Sequence, residues 1–195
     1  MTTRSWLLRG ATLTAALLSA LASTPAFAAD DYKVDDDHST VIFRIHHLGA
    51  GYVYGRFNQI EGDFSLDADP KKNTFNVTLK TDSVDTDHEK RDKHLRNADF
   101  FNAEEFPEIT FTSKSVSKKS DTAWAVTGDL TLHGVTKQVT VDFERTGEGP
   151  DPWGGYRAGL EATFTIKRSD FGITHMAEGL GDEVRVIVAL EGKKK

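Results

Sequence analysis

The chain has 195 residues, with 24 Lys and Arg against 30 Asp and Glu, a formal net charge of −6, and 38% hydrophobic residues. That length suits one domain with a buried core, and a mean hydropathy of −0.43 argues against several membrane-spanning helices. The absence of Cys removes disulfides, thiolate nucleophiles and Cys-ligated zinc, and no basic stripe offers a nucleic-acid surface.

Residues 1–28 read as a cleaved signal peptide. Arg4 and Arg9 flank the start of a short apolar segment, Ala11–Ala22, and Pro25 precedes Ala26-Phe27-Ala28, a small-x-small cleavage signature. The apolar stretch is too short for the usual spanning helix. Cleavage is expected after Ala28, leaving residues 29–195 as a single exported domain whose natural home is a periplasm.

Beyond that point the main signal is period-two alternation, which places every second side chain on one face of a strand. It marks strands over 41–48, 58–67, 74–81 and 109–116. The second half is cleaner, with strands over 123–133, 137–146, 156–168 and 183–192, the first pair joined at His133-Gly134. In the long 156–168 strand, Tyr156, Ala158, Leu160, Ala162, Phe164 and Ile166 keep step. Between the third and fourth strands lies a helical stretch, with Asp87 placed to N-cap a turn or two through Leu95.

Eight mostly antiparallel strands must hide their edges. An eight-stranded antiparallel barrel does so and leaves room for side chains or one small ligand. A two-sheet sandwich is the alternative, and the long strands favour the barrel. Leu95, Phe100 and Phe101 are placed to anchor the helical segment across one mouth.

Chemistry-bearing patterns are sparse. His46 and His47 are adjacent on a strand and point to opposite faces. His88-Glu89 begins like a zincin helix, but its second His is His94, so the HExxH spacing fails. No G-x-S-x-G elbow, Walker loop or dinucleotide fingerprint is present. The expectation is therefore no catalytic set, no metal and no cofactor.

Several motifs nevertheless stand in a specific order. They include Asp37-His38-Ser39, Phe43-Arg44-Ile45-His46-His47-Leu48-Gly49, Glu89-Lys90-Arg91-Asp92-Lys93-His94-Leu95 and Asp99-Phe100-Phe101. Pro107-Glu108-Ile109-Thr110-Phe111, Gly128–Lys137 and Asp151–Gly159 follow. Together they resemble the YceI family of exported proteins over nearly the whole of 29–195. Asp170–Glu183 departs from members that carry a Leu-Gly-Pro stretch there.

The resemblance implies a lipocalin-like barrel, periplasmic and often dimeric, that binds a polyisoprenoid or related lipid inside. The expected activity is non-catalytic carriage or sequestration with transient membrane exchange, without nucleic acid. Inward-phase candidates for the apolar interior are Val41, Phe43, Ile45, Phe64, Val126, Leu130, Val141, Phe143, Leu160, Phe164, Val186 and Val188. Headgroup candidates at the mouth are His47, Tyr54, Arg91 and His94. An envelope stress or interaction protein with a filled core, and a metal-dependent enzyme, are the competing readings.

Overall fold

The computed structural model describes residues 29–195; the signal-peptide expectation lies outside them. The strands are β1 (Asp30–Val34), β2 (Thr40–His47), β3 (Gly51–Phe57), β4 (Ile60–Leu66), β5 (Thr74–Lys80) and β6 (Val84–Asp85). Helix α1 (Glu89–Leu95) follows, then β7 (Glu108–Lys118), β8 (Ala123–Leu132), β9 (Val135–Pro150), β10 (Tyr156–Lys167) and β11 (Leu180–Lys194). Among the described residues no helix is long and apolar enough to cross a bilayer.

All strand pairs are antiparallel, in the order β1-β4-β5-β7-β8-β9-β10-β11, and β1 returns to β11 to close the barrel. The closed ring has 8 staves, as the alternation implies, but two are broken. One edge of β11 pairs with β2 along Leu180–Ala189 and with β1 along Gly192–Lys194. Similarly β3 and β4 are successive halves of the neighbouring stave, pairing with β2 and β1.

A stave can break only if the backbone groups at the gap find other partners. At Glu191 the carbonyl accepts from Asp35 N at 2.8 Å, and its amide donates to Ser39 Oγ at 3.0 Å. At the second gap, Asn58 N donates to Ser83 O at 3.1 Å and Ile60 N to Asp36 Oδ1 at 2.8 Å.

Strands β1 and β3, and the two-residue β6, are the elements that the alternation leaves unmarked. In β3 the inward phase alternates Gly51 and Gly55 with Val53 and Phe57, while Tyr52 and Tyr54 face outward, so the two faces lack contrast. Gly55 is required by packing, since a Cβ there would stand 2.3 Å from Cζ of Phe43.

The half of the barrel around β1 is filled. Tyr32, Phe64, Phe75 and Phe143 stack in a column with centroid separations of 5.0, 6.5 and 5.1 Å. Each is at most 4% exposed, and they form a floor with Val126 and Leu160 beside them. Burial, and then Asp30, pushes the Tyr32 phenol up to about 12. On the outward phase of β10 and β11, level with this floor, Asp35 is buried and bonds Arg157 at 2.6 Å, Lys193 at 2.9 Å and His38 at 2.9 Å. Burial alone would raise the Asp35 carboxyl, but the hydrogen bonds from Lys193, Arg157 and His38 win and hold it well below the usual carboxylate range.

At the other end the wall is incomplete. Beyond β2, strand β3 pairs only with the two-residue β6, and residues 86–107, including α1, supply the missing panel. The helix is capped by His88, whose Nδ1 accepts from Arg91 N at 3.2 Å, in place of the expected Asp87. Asp87 instead takes φ of 59° and donates its amide to Asp85.

Candidate functional site: a hydrocarbon cavity beneath the helical panel

The unfilled half of the barrel encloses a cavity of about 180 Å³. Its wall comes from β2, β3, β5, β7, β8, β9, β10 and β11, and its roof from Leu95, Phe100 and Phe101 of the panel. Phe101 sets its edge on the rings of Phe43 and Phe57 at 6.2 and 5.5 Å, which fixes the panel on the barrel through aromatic contacts.

Val41, Phe43, Ile45, Leu130, Val141, Phe143, Phe164, Val186 and Val188 line this cavity together. Phe64, Val126 and Leu160 do not. They have the correct inward phase but lie below, in the packed floor, at 2%, 0% and 1% exposure. Alternation reports which face a residue is on and carries no information about height along the barrel axis.

The mouth candidates are placed differently from the sequence expectation. Tyr54 lies opposite Arg44 on the outer face of the β2–β3 hairpin and is 52% exposed. Arg91 is committed to its own segment, donating from Nε to Thr86 Oγ1 and from a terminal nitrogen to Thr86 O, both at 2.7 Å. Buried Asp92 accepts from the Thr86 amide at 2.9 Å and from its hydroxyl, so α1 is stapled to the strand before it. His47 ends β2 on the inward phase, between Gly51 and Leu180, outside the cavity lining. His94 sits on the outside of the panel, its ring edge-on to Phe100 at 5.0 Å and its Nε2 bonded to Asp99 at 3.0 Å.

The charged residue that does reach the cavity is Arg168. Among the described residues that line it, Arg168 alone is charged. It is 5% exposed and spends its guanidinium on backbone carbonyls: Gly181 and Ile173 at 3.0 Å each, and His175 at 2.8 Å. No carboxylate among the described residues forms an ion pair with it. Burial draws its pKa down, with Asp182 pulling the other way. The signal for Arg168 is present in the sequence, because the inward phase of β10 that runs through Phe164 and Ile166 continues to position 168. Read as the end of a strand beside Lys167, it passes for surface.

Two groups of side chains have the composition of a metal centre: Asp35 with His38 and Glu191, and His94 with Asp99 and His175. In the first, Arg157 and Lys193 already occupy the carboxylates. In the second, the ion pairs of Asp99 among the described residues are with the two imidazoles, and the hydrogen bond from His94 holds its carboxyl below the ordinary range against the opposing effect of burial. Among the described residues that line the cavity, Thr110 carries the one hydroxyl, and no carboxylate or imidazole accompanies it.

Comparison with known proteins places this arrangement in a family. The YceI-like domain family model matches residues 32–192. Protein YceI from Salmonella arizonae and from Salmonella dublin are each 48% identical over 179 residues, covering 90% of this chain and 93% of the relative. The crystal structure of the Campylobacter jejuni YCEI protein superposes with a TM-score of 0.70 at 27% identity, covering 94% of this chain and 99% of that one. At 16% identity, a polyisoprenoid binding domain from Saccharophagus degradans shares the fold, with a TM-score of 0.66 over 84% of this chain and 98% of its own.

Proposed function

The chain belongs to the YceI family, and from that membership and the chemistry of the cavity we propose a non-catalytic periplasmic carrier or sequestering protein for a polyisoprenoid or similar long amphiphile. The observation that carries the reading is the cavity itself. It is lined by hydrocarbon side chains from all sides, roofed by a panel without strand pairing, and bounded by one buried cation. The Saccharophagus degradans neighbour, described as polyisoprenoid-binding, supports the same ligand class.

Burial of a hydrocarbon chain returns about 0.8 kcal/mol per CH₂ relative to water. The lipid's competing environment is a bilayer, which offers nearly the same gain, so net preference for the protein rests on shape and headgroup. A modest preference suits exchange. Leu48 and Met176 at the cavity end of the barrel are 63% and 45% exposed, and they offer apolar contacts to a membrane during transfer.

The test is native mass spectrometry of the protein purified from the periplasm without detergent, followed by solvent extraction. A stoichiometric isoprenoid-class lipid is the expected result. A ligand-free mass that stays unchanged after incubation with polyprenol-containing vesicles overturns the reading in favour of a filled-core interaction protein.

A further inference from the structure

The outer surface of the panel carries chemistry that lipid carriage does not use. His94 belongs to α1, Asp99 to the loop after it, and His175 to the segment between β10 and β11. Their ligand atoms all lie within 4.8 Å of one another. Nε2 of His94 is 3.0 Å from one Asp99 oxygen, and Nδ1 of His175 is 3.8 Å from the other. Ligand atoms bound tetrahedrally at the usual zinc–nitrogen and zinc–oxygen distances stand about 3.3 Å apart. The two observed separations bracket that value.

We propose that His94, Asp99 and His175 form a divalent transition-metal site that pins the panel to the β10–β11 segment across the cavity mouth. Two imidazoles and a carboxylate are a donor set suited to zinc, copper or nickel, with a remaining position for water. The ring of Phe100 meets His94 at 5.0 Å and His175 at 5.1 Å, both edge-on, so one buried side chain orients both imidazoles. The same ring roofs the cavity. Exposures of 44%, 53% and 38% leave an entry path for an ion. Among the described residues no Lys or Arg pairs with Asp99, in contrast to the cluster at Asp35.

Metal binding restricts the movement of the panel against the barrel, and with it the opening through which Phe100 and Phe101 must part. The consequence for lipid release rests on the carrier reading; the metal site does not. The first measurement is therefore calorimetric titration of lipid-free protein with zinc chloride at neutral pH, in a buffer that does not chelate.

One-to-one binding is expected, weakened about tenfold or more in each of His94→Gln, Asp99→Asn and His175→Gln, at least the loss seen on disturbing even a ligand's supporting contacts. Metal-free melting temperatures close to wild type show that these exposed substitutions leave the fold intact. Hydrogen exchange is expected to slow on zinc addition in residues 97–103 and 173–180, in wild type only. Equal zinc affinity in wild type and in the His94→Gln/His175→Gln double variant overturns the site, and binding without slowed exchange overturns the pinning.

A second arm follows transfer of a labelled polyprenol to phosphatidylcholine vesicles, which zinc should slow several-fold in wild type alone. Unchanged transfer with intact metal binding and slowed exchange counts against lipid passage by this mouth, and leaves the metal site standing.

Discussion

Replacing Val186 with Phe separates a cavity from a filled core with one substitution. Val186 lies on β11 between Phe43 of β2 and Phe164 of β10, and all three line the cavity. The larger side chain adds about four carbons to the cavity wall and takes that much space from a bound lipid, about 3 kcal/mol of lost hydrocarbon burial. Because the donor vesicle is the same for both proteins, the bilayer's contribution cancels. The expected loss is roughly 200-fold in partition of a labelled polyprenol from phosphatidylcholine vesicles.

The lipid-free protein supplies a second number. In a filled core the added carbons would cost about 1–3 kcal/mol through overpacking. With about 180 Å³ open beside the residue, the urea unfolding midpoint should stay unchanged or rise. Unchanged lipid partition would refute the placement of the chain. A stability loss of the overpacking size would refute the cavity.

Gly192→Ala tests the floor in the opposite sense. A Cβ there meets the Phe64 ring at 2.5 Å and Cβ of Tyr32 at 2.8 Å, so a destabilisation of about 1–3 kcal/mol is expected by urea unfolding. Asp35→Asn should cost about 1–3 kcal/mol at neutral pH. Because the folded Asp35 carboxyl lies below its unfolded value of about 3.9, its stabilisation is complete above that pH and fades as pH falls through the folded value. The gap in unfolding free energy between wild type and variant should therefore narrow below about pH 4. Leu48→Asp with Met176→Glu is expected to slow vesicle transfer while leaving the equilibrium partition unchanged, since both side chains are exposed and neither lines the cavity; stopped-flow fluorescence transfer measures the rate.

The closed eight-stave barrel was legible because alternation survives wherever both faces of a strand carry side chains of contrasting polarity. β8 is the clearest case, with Trp124, Val126, Leu130 and Leu132 buried in strict alternation. It failed for β3, where Gly51 and Gly55 interrupt the inward face and Tyr52 and Tyr54 stand on the outer one, so the contrast between faces is lost. The cavity was legible only to within its depth, so Phe64, Val126 and Leu160 joined the lining candidates although they belong to the floor. Arg91 and His94 were selected by their presence on the panel, but hydrogen bonds to Thr86 and Asp99, invisible in a linear reading, turn them away from the interior. Arg168 was missed because a charge at a strand end ordinarily means solvent. The His94–Asp99–His175 grouping was hidden for another reason: it joins residues from two distant segments and has no local chelating spacing.

The stacked column of Tyr32, Phe64, Phe75 and Phe143 blocks one end of the barrel. A vessel with a single entrance keeps the order of its contents: whatever goes in first comes out last. On the carrier reading proposed above, a flexible chain threaded beneath the panel would travel tail-foremost on entry and head-foremost on exit. Throughout its stay the polar terminus would face outward while the rest of the molecule remained concealed. Direction of hand-over would thus be written into the barrel by four aromatic rings far from any surface where a partner could dock.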